Sequence, residues 1–151
     1  MAWIAGRLAE RTMSDEGNKT VLVVDDDRET REMIREWLSS SGYNLLCAEN
    51  GKEGTKIFRR QRVDLVLLDV FMPEQDGIEV LMEMRRMAKA TKVVMMSGGG
   101  GRMKLEHVLK LAGKLGATET LPKPFTPVEL TQTVDRLIGK AGGTPEARKA
   151  P

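Results

Sequence analysis

Three carboxylates and one ammonium, each just past an apolar run, are the groups in this 151-residue chain best placed to do chemistry. Asp69 closes the run Val63-Asp64-Leu65-Val66-Leu67-Leu68 and stands shortly before Met72 and Pro73. Asp25 and Asp26 close Val21-Leu22-Val23-Val24, and Lys123 follows a third strand-like segment. Charged side chains are almost never fully buried unless they are paired, so an Asp at the tip of a buried strand points to a site. Three close carboxylates repel one another. At an effective dielectric near 20, one pair at ~4 Å costs on the order of 4 kcal/mol. A hard cation relieves this. Mg²⁺ takes oxygen ligands, keeps several waters and is held by one or two carboxylates plus phosphate oxygens; Mn²⁺ is the alternative. Asp26 and Asp69 suit direct ligation, and Asp25 suits a contact through water. Beside such a cation, Asp69 can attack a phosphoryl donor and form an acyl phosphate. That reaction needs positioning and charge neutralisation more than covalent help. Lys123 supplies a point charge for the phosphoryl oxygens, and the Ser97 hydroxyl a hydrogen bond.

The elements that must position these groups alternate between strand and helix. Strands are expected at Thr20 to Val24, Tyr43 to Ala48, Val63 to Leu68, Val93 to Met96 and Glu119 to Leu121. Helical spacing places Met33, Ile34, Trp37 and Leu38 on one face, ended by Ser39-Ser40-Ser41-Gly42. Further helices are expected over Glu53 to Arg60, Ile78 to Met87, and the stretch carrying Leu105, Val108, Leu109, Ala112 and Leu115. Pro73 through Gly77 reads as a turn. The last helix has Thr126 at the N-cap, Pro127 at N1 and Glu129 at N3, with Leu130, Val134, Leu137 and Ile138 as its apolar stripe. Five βα units with unalternating apolar strands imply a parallel sheet covered on both faces, an α/β fold. Ligands of such sheets bind beyond the carboxyl ends of the strands. Asp25, Asp26, Asp69, Ser97 and Lys123 all fall there.

Composition bounds the partners. Forty per cent hydrophobic and thirty per cent charged residues describe an ordinary globular chain, and the net charge of +2 gives no electrostatic reason for nucleic-acid or membrane binding. The positive residues are spread along the helices. Cys47 is the single cysteine; it reads as a buried, inert thiol in a reducing cytoplasm. Residues 1–18 read as a flexible N-terminal segment, with Met13 an alternative start and Trp3, Ile4 and Leu8 a short amphipathic anchor as the competing reading. Residues 140–151 read as a disordered tail, leaving one domain over 19–139.

The pieces VLVVDDD, LVLLDVFMPEQDGIEVL, MMSG and LPKPF, in this order and each following a strand, closely resemble the receiver domain of two-component response regulators. The resemblance covers about residues 19–139. It implies a bacterial phosphorelay module with a doubly wound, flavodoxin-like (βα)5 fold and strand order 2-1-3-4-5. It further implies that Asp69 is the phosphoacceptor and that Asp25 and Asp26 form the acidic pocket. The Phe71 backbone carbonyl is then a third metal ligand, and Ser97 and Lys123 are the switch hydroxyl and the lysine. A cis Lys123-Pro124 bond is implied too. The implied partners are a sensor histidine kinase or a histidine phosphotransfer protein, and a downstream protein or a second copy at the face of the fourth helix, fifth strand and fifth helix. With about a dozen residues after Gly139, the chain reads as a stand-alone receiver. The sequence departs from the pattern at Thr120, where the family usually carries an aromatic switch residue.

Other readings of the same residues are narrower. Asp25 or Asp26 could cap the first helix, but capping does not explain Asp69 and Lys123; Asp27 reads as the cap. Gly98 to Gly101 complete neither GxGxxG nor GxxxxGK[ST], so they read as a mobile loop beside Ser97 rather than a nucleotide loop. His107 has no second His or Cys and reads as a surface residue. An aspartyl-phosphate hydrolase of the haloacid-dehalogenase type needs an acid two residues after its nucleophile, and Phe71 stands there. A phosphorylation-independent adaptor is favoured by Thr120 alone.

Overall fold

The computed structural model of the protein describes residues 18–72, 76–98 and 102–140, with the backbone alone for residues 102–105. Its elements alternate: β1 (Thr20–Val24), α1 (Arg28–Ser40), β2 (Asn44–Ala48), α2 (Gly51–Arg60), β3 (Leu65–Asp69), α3 (Gly77–Met87), β4 (Lys92–Ser97), α4 (Arg102–Lys114), β5 (Glu119–Pro122) and α5 (Pro127–Ile138). The five strands pair in parallel in the order β2-β1-β3-β4-β5, as the resemblance implied. The order reverses between β1 and β3, so their carboxyl ends flank the crevice where such sheets bind ligands.

Successive strand residues point to opposite faces, and each face has its own core. Leu22, Val24, Val66 and Leu68 pack in one cluster with residues of α2, α3 and α4. Val21, Val23, Leu65 and Leu67 pack in the other with residues of α1 and α5. The central strands β1 and β3 are buried along their whole length, which is why they read as continuous apolar runs.

Local chemistry sets the boundaries. Asp27 caps α1, its side chain accepting from the Thr30 N–H, as read from the sequence. Asn50 caps α2 through the Glu53 N–H, so that helix begins at Gly51, two residues before the expected start. The Thr126 hydroxyl accepts from the Glu129 N–H at 3.1 Å. Gly42 ends α1 with φ of 94°, a region glycine enters without strain. Two expectations are corrected. Tyr43 does not open β2; it is an anchor, its hydroxyl donating to Asp135 and to the Gly139 carbonyl. Cys47 is half-buried rather than buried, because β2 is an edge strand.

Several expectations lie outside the described residues: the N-terminal segment to residue 17, the turn at 73–75, the glycines at 99–101, and the tail from 141. The side chain of Leu105 does too. Among the described residues no helix is long and apolar enough to cross a membrane.

Candidate functional site

Register brings the chemistry together. Val24 pairs with Leu68, so Asp25 and Asp69 emerge side by side one residue later. Asp69 pairs with Met96, and Ser97 with Pro122, which places the hydroxyl and Lys123 along the same rim. The Lys123 N–H donates to the Ser97 carbonyl at 2.7 Å.

The carboxylates of Asp25, Asp26 and Asp69 offer oxygens that all lie within 4.8 Å of one another. Asp25 is fully buried, Asp69 is buried, and Asp26 is exposed to solvent. Both oxygens of Asp25 are engaged: Oδ1 accepts from the Asp27 N–H at 2.9 Å, and Oδ2 from Lys123 Nζ at 2.7 Å. The ammonium also lies 3.6 Å from Asp69 Oδ1. Among the described residues Lys123 pairs with Asp25 and more distantly with Asp69, so the two acids least committed to protein donors are Asp26 and Asp69.

Electrostatics follow from this crowding. Burial and then the neighbouring Asp25 charge push Asp69 up to about 7; Lys123 opposes the rise and Asp26 adds to it. Burial works against the Lys123 ammonium, but its hydrogen bond to Asp25 and the charges of Asp25 and Asp69 outweigh it, and its pKa is raised. The Asp69 carboxyl is therefore half protonated near neutral pH unless a cation joins it. The donor set, three hard oxygens open to solvent on the Asp26 side, suits a hard divalent ion.

Ser97 carries a second signal. Its hydroxyl is buried without a hydrogen-bond partner among the described residues. A buried polar atom left unpaired costs roughly 1–3 kcal/mol, so a ligand oxygen at this position would be welcome. Phe71 follows Asp69 by two residues, and its ring packs against the cluster shared with α2, α3 and α4. Thr120 is half-buried on β5, opposite Met95. His107 is exposed. The Lys123-Pro124 bond is cis, and β5 is an edge strand that tolerates Pro122.

Sequence reading missed three positioning residues. Arg31 Nη1 donates to the Asp25 carbonyl at 2.8 Å, tying α1 to the acidic loop. A Cβ on Gly77 would sit 2.3 Å from the Asp69 carbonyl oxygen, so only glycine lets α3 start this close to β3. A Cβ on Gly98 would sit 2.4 Å from the Lys123 Cβ. Gly98 thus serves close packing against the lysine. Only the Asp-Gly pair after the Met-Pro turn hinted at any of this.

Known proteins resemble the chain over this fold. The family model described as the response regulator receiver domain matches residues 21–135. The transcriptional regulatory protein CpxR of Klebsiella pneumoniae is 38% identical over 121 residues, covering 80% of this chain and 50% of that protein. The chain thus spans about half the length of the curated relatives it matches. Among solved structures, the chemotaxis protein CheY4 of Vibrio cholerae superposes with a TM-score of 0.71 at 32% identity, covering 80% of this chain and 98% of that one. The response regulator TrrA of Thermotoga maritima, solved with Mg²⁺-BeF, gives a TM-score of 0.69 at 35% identity, covering 79% and 98%.

Proposed function

Because the chain belongs to the response regulator receiver family, matched over residues 21–135, we propose that it accepts a phosphoryl group on Asp69 and signals through the modified site. The observation that carries this reading is a lysine 3.6 Å from Asp69, with a buried Ser97 hydroxyl on the neighbouring strand that has no partner among the described residues. Attack by an Asp69 carboxylate oxygen on a phosphohistidine forms the acyl phosphate and breaks the P–N bond, and the leaving imidazole takes up a proton. Lys123 and Ser97 then hold phosphoryl oxygens. The lysine exchanges part of its contact with Asp25 for the new charge.

A Mg²⁺ or Mn²⁺ ion would supply charge neutralisation for the transfer. Asp26 and Asp69 are the residues to hold it directly, with the Phe71 carbonyl. Asp25 acts through water, since both of its oxygens already accept hydrogen bonds. The Mg²⁺-BeF bound by TrrA supports this choice of cation.

The phosphoryl donor is a sensor histidine kinase or a histidine phosphotransfer protein. The phosphorylated state shifts a two-state equilibrium and so changes affinity for a protein partner, or the group is passed on. We read the module as a signalling receiver of the cytoplasm rather than a turnover enzyme. The α4-β5-α5 face is the contact surface for a partner or a second copy. Thr120, in place of an aromatic residue, weakens the coupling from Ser97 to that face. Unchanged partner affinity on Thr120→Tyr would count against this last point.

The test is intact-protein mass after incubation with Mg²⁺ and acetyl phosphate. A gain of about 80 Da, one phosphoryl group on a nucleophilic carboxylate, absent in Asp69→Asn, is expected. No gain, with Mg²⁺ binding established by calorimetry, would overturn the proposal in favour of a phosphorylation-independent adaptor.

A further inference from the structure

The Asp26 carboxylate faces solvent, yet the backbone on both sides of it is held. Ahead of it, the Asp25 carbonyl accepts from Arg31 Nη1 at 2.8 Å. Behind it, the Asp27 N–H donates to Asp25 Oδ1 at 2.9 Å. Asp25 is itself fixed: its N–H donates to the Ala48 carbonyl at 3.1 Å, and its Oδ2 accepts from Lys123. A peptide unit is planar, so the bond to the Asp25 carbonyl also sets the Asp26 N–H and the direction in which the Asp26 Cα leaves β1. With the next peptide held through the Asp27 N–H, both backbone torsions of Asp26 are confined.

The donor comes from α1. Asp27 caps this helix, and Arg31 lies half-buried in its opening turn. Helical side chains lean towards the N-terminus, so the guanidinium reaches back over the loop. A charged donor makes a stronger bond than a neutral one. Its charge acts in the other direction, because a guanidinium bonded to the acidic loop repels an incoming divalent ion. Loss of Arg31 therefore has two opposite effects on cation binding: the lost charge strengthens it, and the loosened loop weakens it. Mg²⁺ demands near-ideal octahedral geometry, so a ligand free to swing is costly.

We propose that Arg31 is a positioning residue for the cation. Its bond to the Asp25 carbonyl aims the Asp26 carboxylate at the ion, and this aim outweighs the repulsion of its charge. The proposal rests on the reading of Asp26 as a direct ligand, and Arg31 acts only through it.

The test is calorimetric titration of the full chain with Mg²⁺, beside four variants, with urea unfolding of each. Arg31→Gln should weaken Mg²⁺ binding about tenfold or more, as loss of a group that orients a metal ligand does. Arg31→Lys keeps the charge without the planar fork and should fall between Gln and the wild type. Arg28 is exposed one turn earlier on the same helix and pairs with Glu32 at 3.0 Å. Arg28→Gln thus removes the same charge without touching the Asp25 carbonyl, and should bind Mg²⁺ at least as tightly as the wild type. Tyr43→Phe cuts the anchor to Asp135 at the amino end of the sheet; it should lose stability and keep its Mg²⁺ affinity, which separates positioning from a merely structural role. Unchanged or tighter binding by Arg31→Gln overturns the proposal and leaves the cation site standing. So does an equal loss in Arg28→Gln or in Tyr43→Phe. Should Arg31→Gln fail to fold, wild-type affinity in Arg31→Lys overturns it. No Mg²⁺ binding by the wild type would sink the reading of the site, and the proposal with it.

Discussion

Lys123 and Asp25 stand 98 positions apart in the chain, yet the ammonium donates to the carboxylate at 2.7 Å. Asp25 has no solvent exposure, and Lys123 keeps about a fifth of its side-chain surface in water. This pair joins the last strand to the first across the top of the sheet. Removing one member of a buried pair leaves an uncompensated charge, typically at a cost of 3–5 kcal/mol. Lys123→Met should therefore destabilise the fold by about 3 kcal/mol at pH 8. The double variant with Asp25→Asn should lose clearly less than the sum of the two single variants. Urea unfolding of the four proteins of this cycle checks it, and simple additivity would refute the coupling.

Asp69 makes stability depend on pH. Its folded pKa, about 7, lies above its unfolded value of 3.8. The native state thus binds the extra proton between these values, and stability is lost as pH rises through that window. The slope reaches at most about 1.4 kcal/mol per pH unit. Asp69→Asn should flatten the profile between pH 4 and 7 and be the more stable protein at pH 8 without divalent ions. Added Mg²⁺ should return stability to the wild type in a way that grows with pH. A wild-type profile parallel to that of the variant would contradict the assignment.

Two glycines should respond with opposite sign. Gly98→Ala drives a methyl group into the Lys123 Cβ at 2.4 Å, whereas nothing lies within 4 Å of a Cβ at Gly113 on α4. Overpacking costs typically 1–3 kcal/mol, so Gly98→Ala should destabilise by about that amount and slow labelling by acetyl phosphate. Gly113→Ala should stabilise by about 0.5 kcal/mol and leave labelling unchanged. Thermal unfolding and the labelling rate together separate these outcomes.

Arg85 holds the turn before β4 and the turn before β5 at once, through the Thr91 and Gly116 carbonyls. Arg85→Ala strips hydrogen bonds from both and should cost about 1–3 kcal/mol, chiefly because the part-buried Thr91 carbonyl loses its donor. Arg85→Lys should recover only part of this, because an ammonium lacks the planar fork that reaches both turns. Full recovery in chemical denaturation would sink the bridging role.

Much of this architecture was legible because its signals are local. Val21–Val24 and Leu65–Leu68 are buried on both faces, so their apolar runs announce central parallel strands. Asp25, Asp69, Ser97 and Lys123 are polar residues at strand ends, where this fold gathers ligands. What escaped notice depends on distance through space. Tyr43 has strand propensity but is spent on Asp135, a partner 92 positions away. Cys47 reads as core until β2 is seen to be an edge. Arg31 and Arg85 carried no signal in the sequence because no spacing rule links an arginine to a remote carbonyl. The crowding at Gly98 exists only once β4 and β5 are side by side.

The order in which the ribosome releases these groups adds a matter of time. Asp25, Asp26 and Asp69 emerge before Lys123, and at about 5–20 residues per second the intervening stretch takes several seconds to make. Until then the carboxylates lack their internal ammonium, and the sheet lacks its final strand. An arrested nascent chain ending before Glu119 should accordingly be protease-sensitive unless divalent ions are present; full protection without them would argue otherwise. Neutralisation of the acidic cluster by the chain itself thus waits on its last strand.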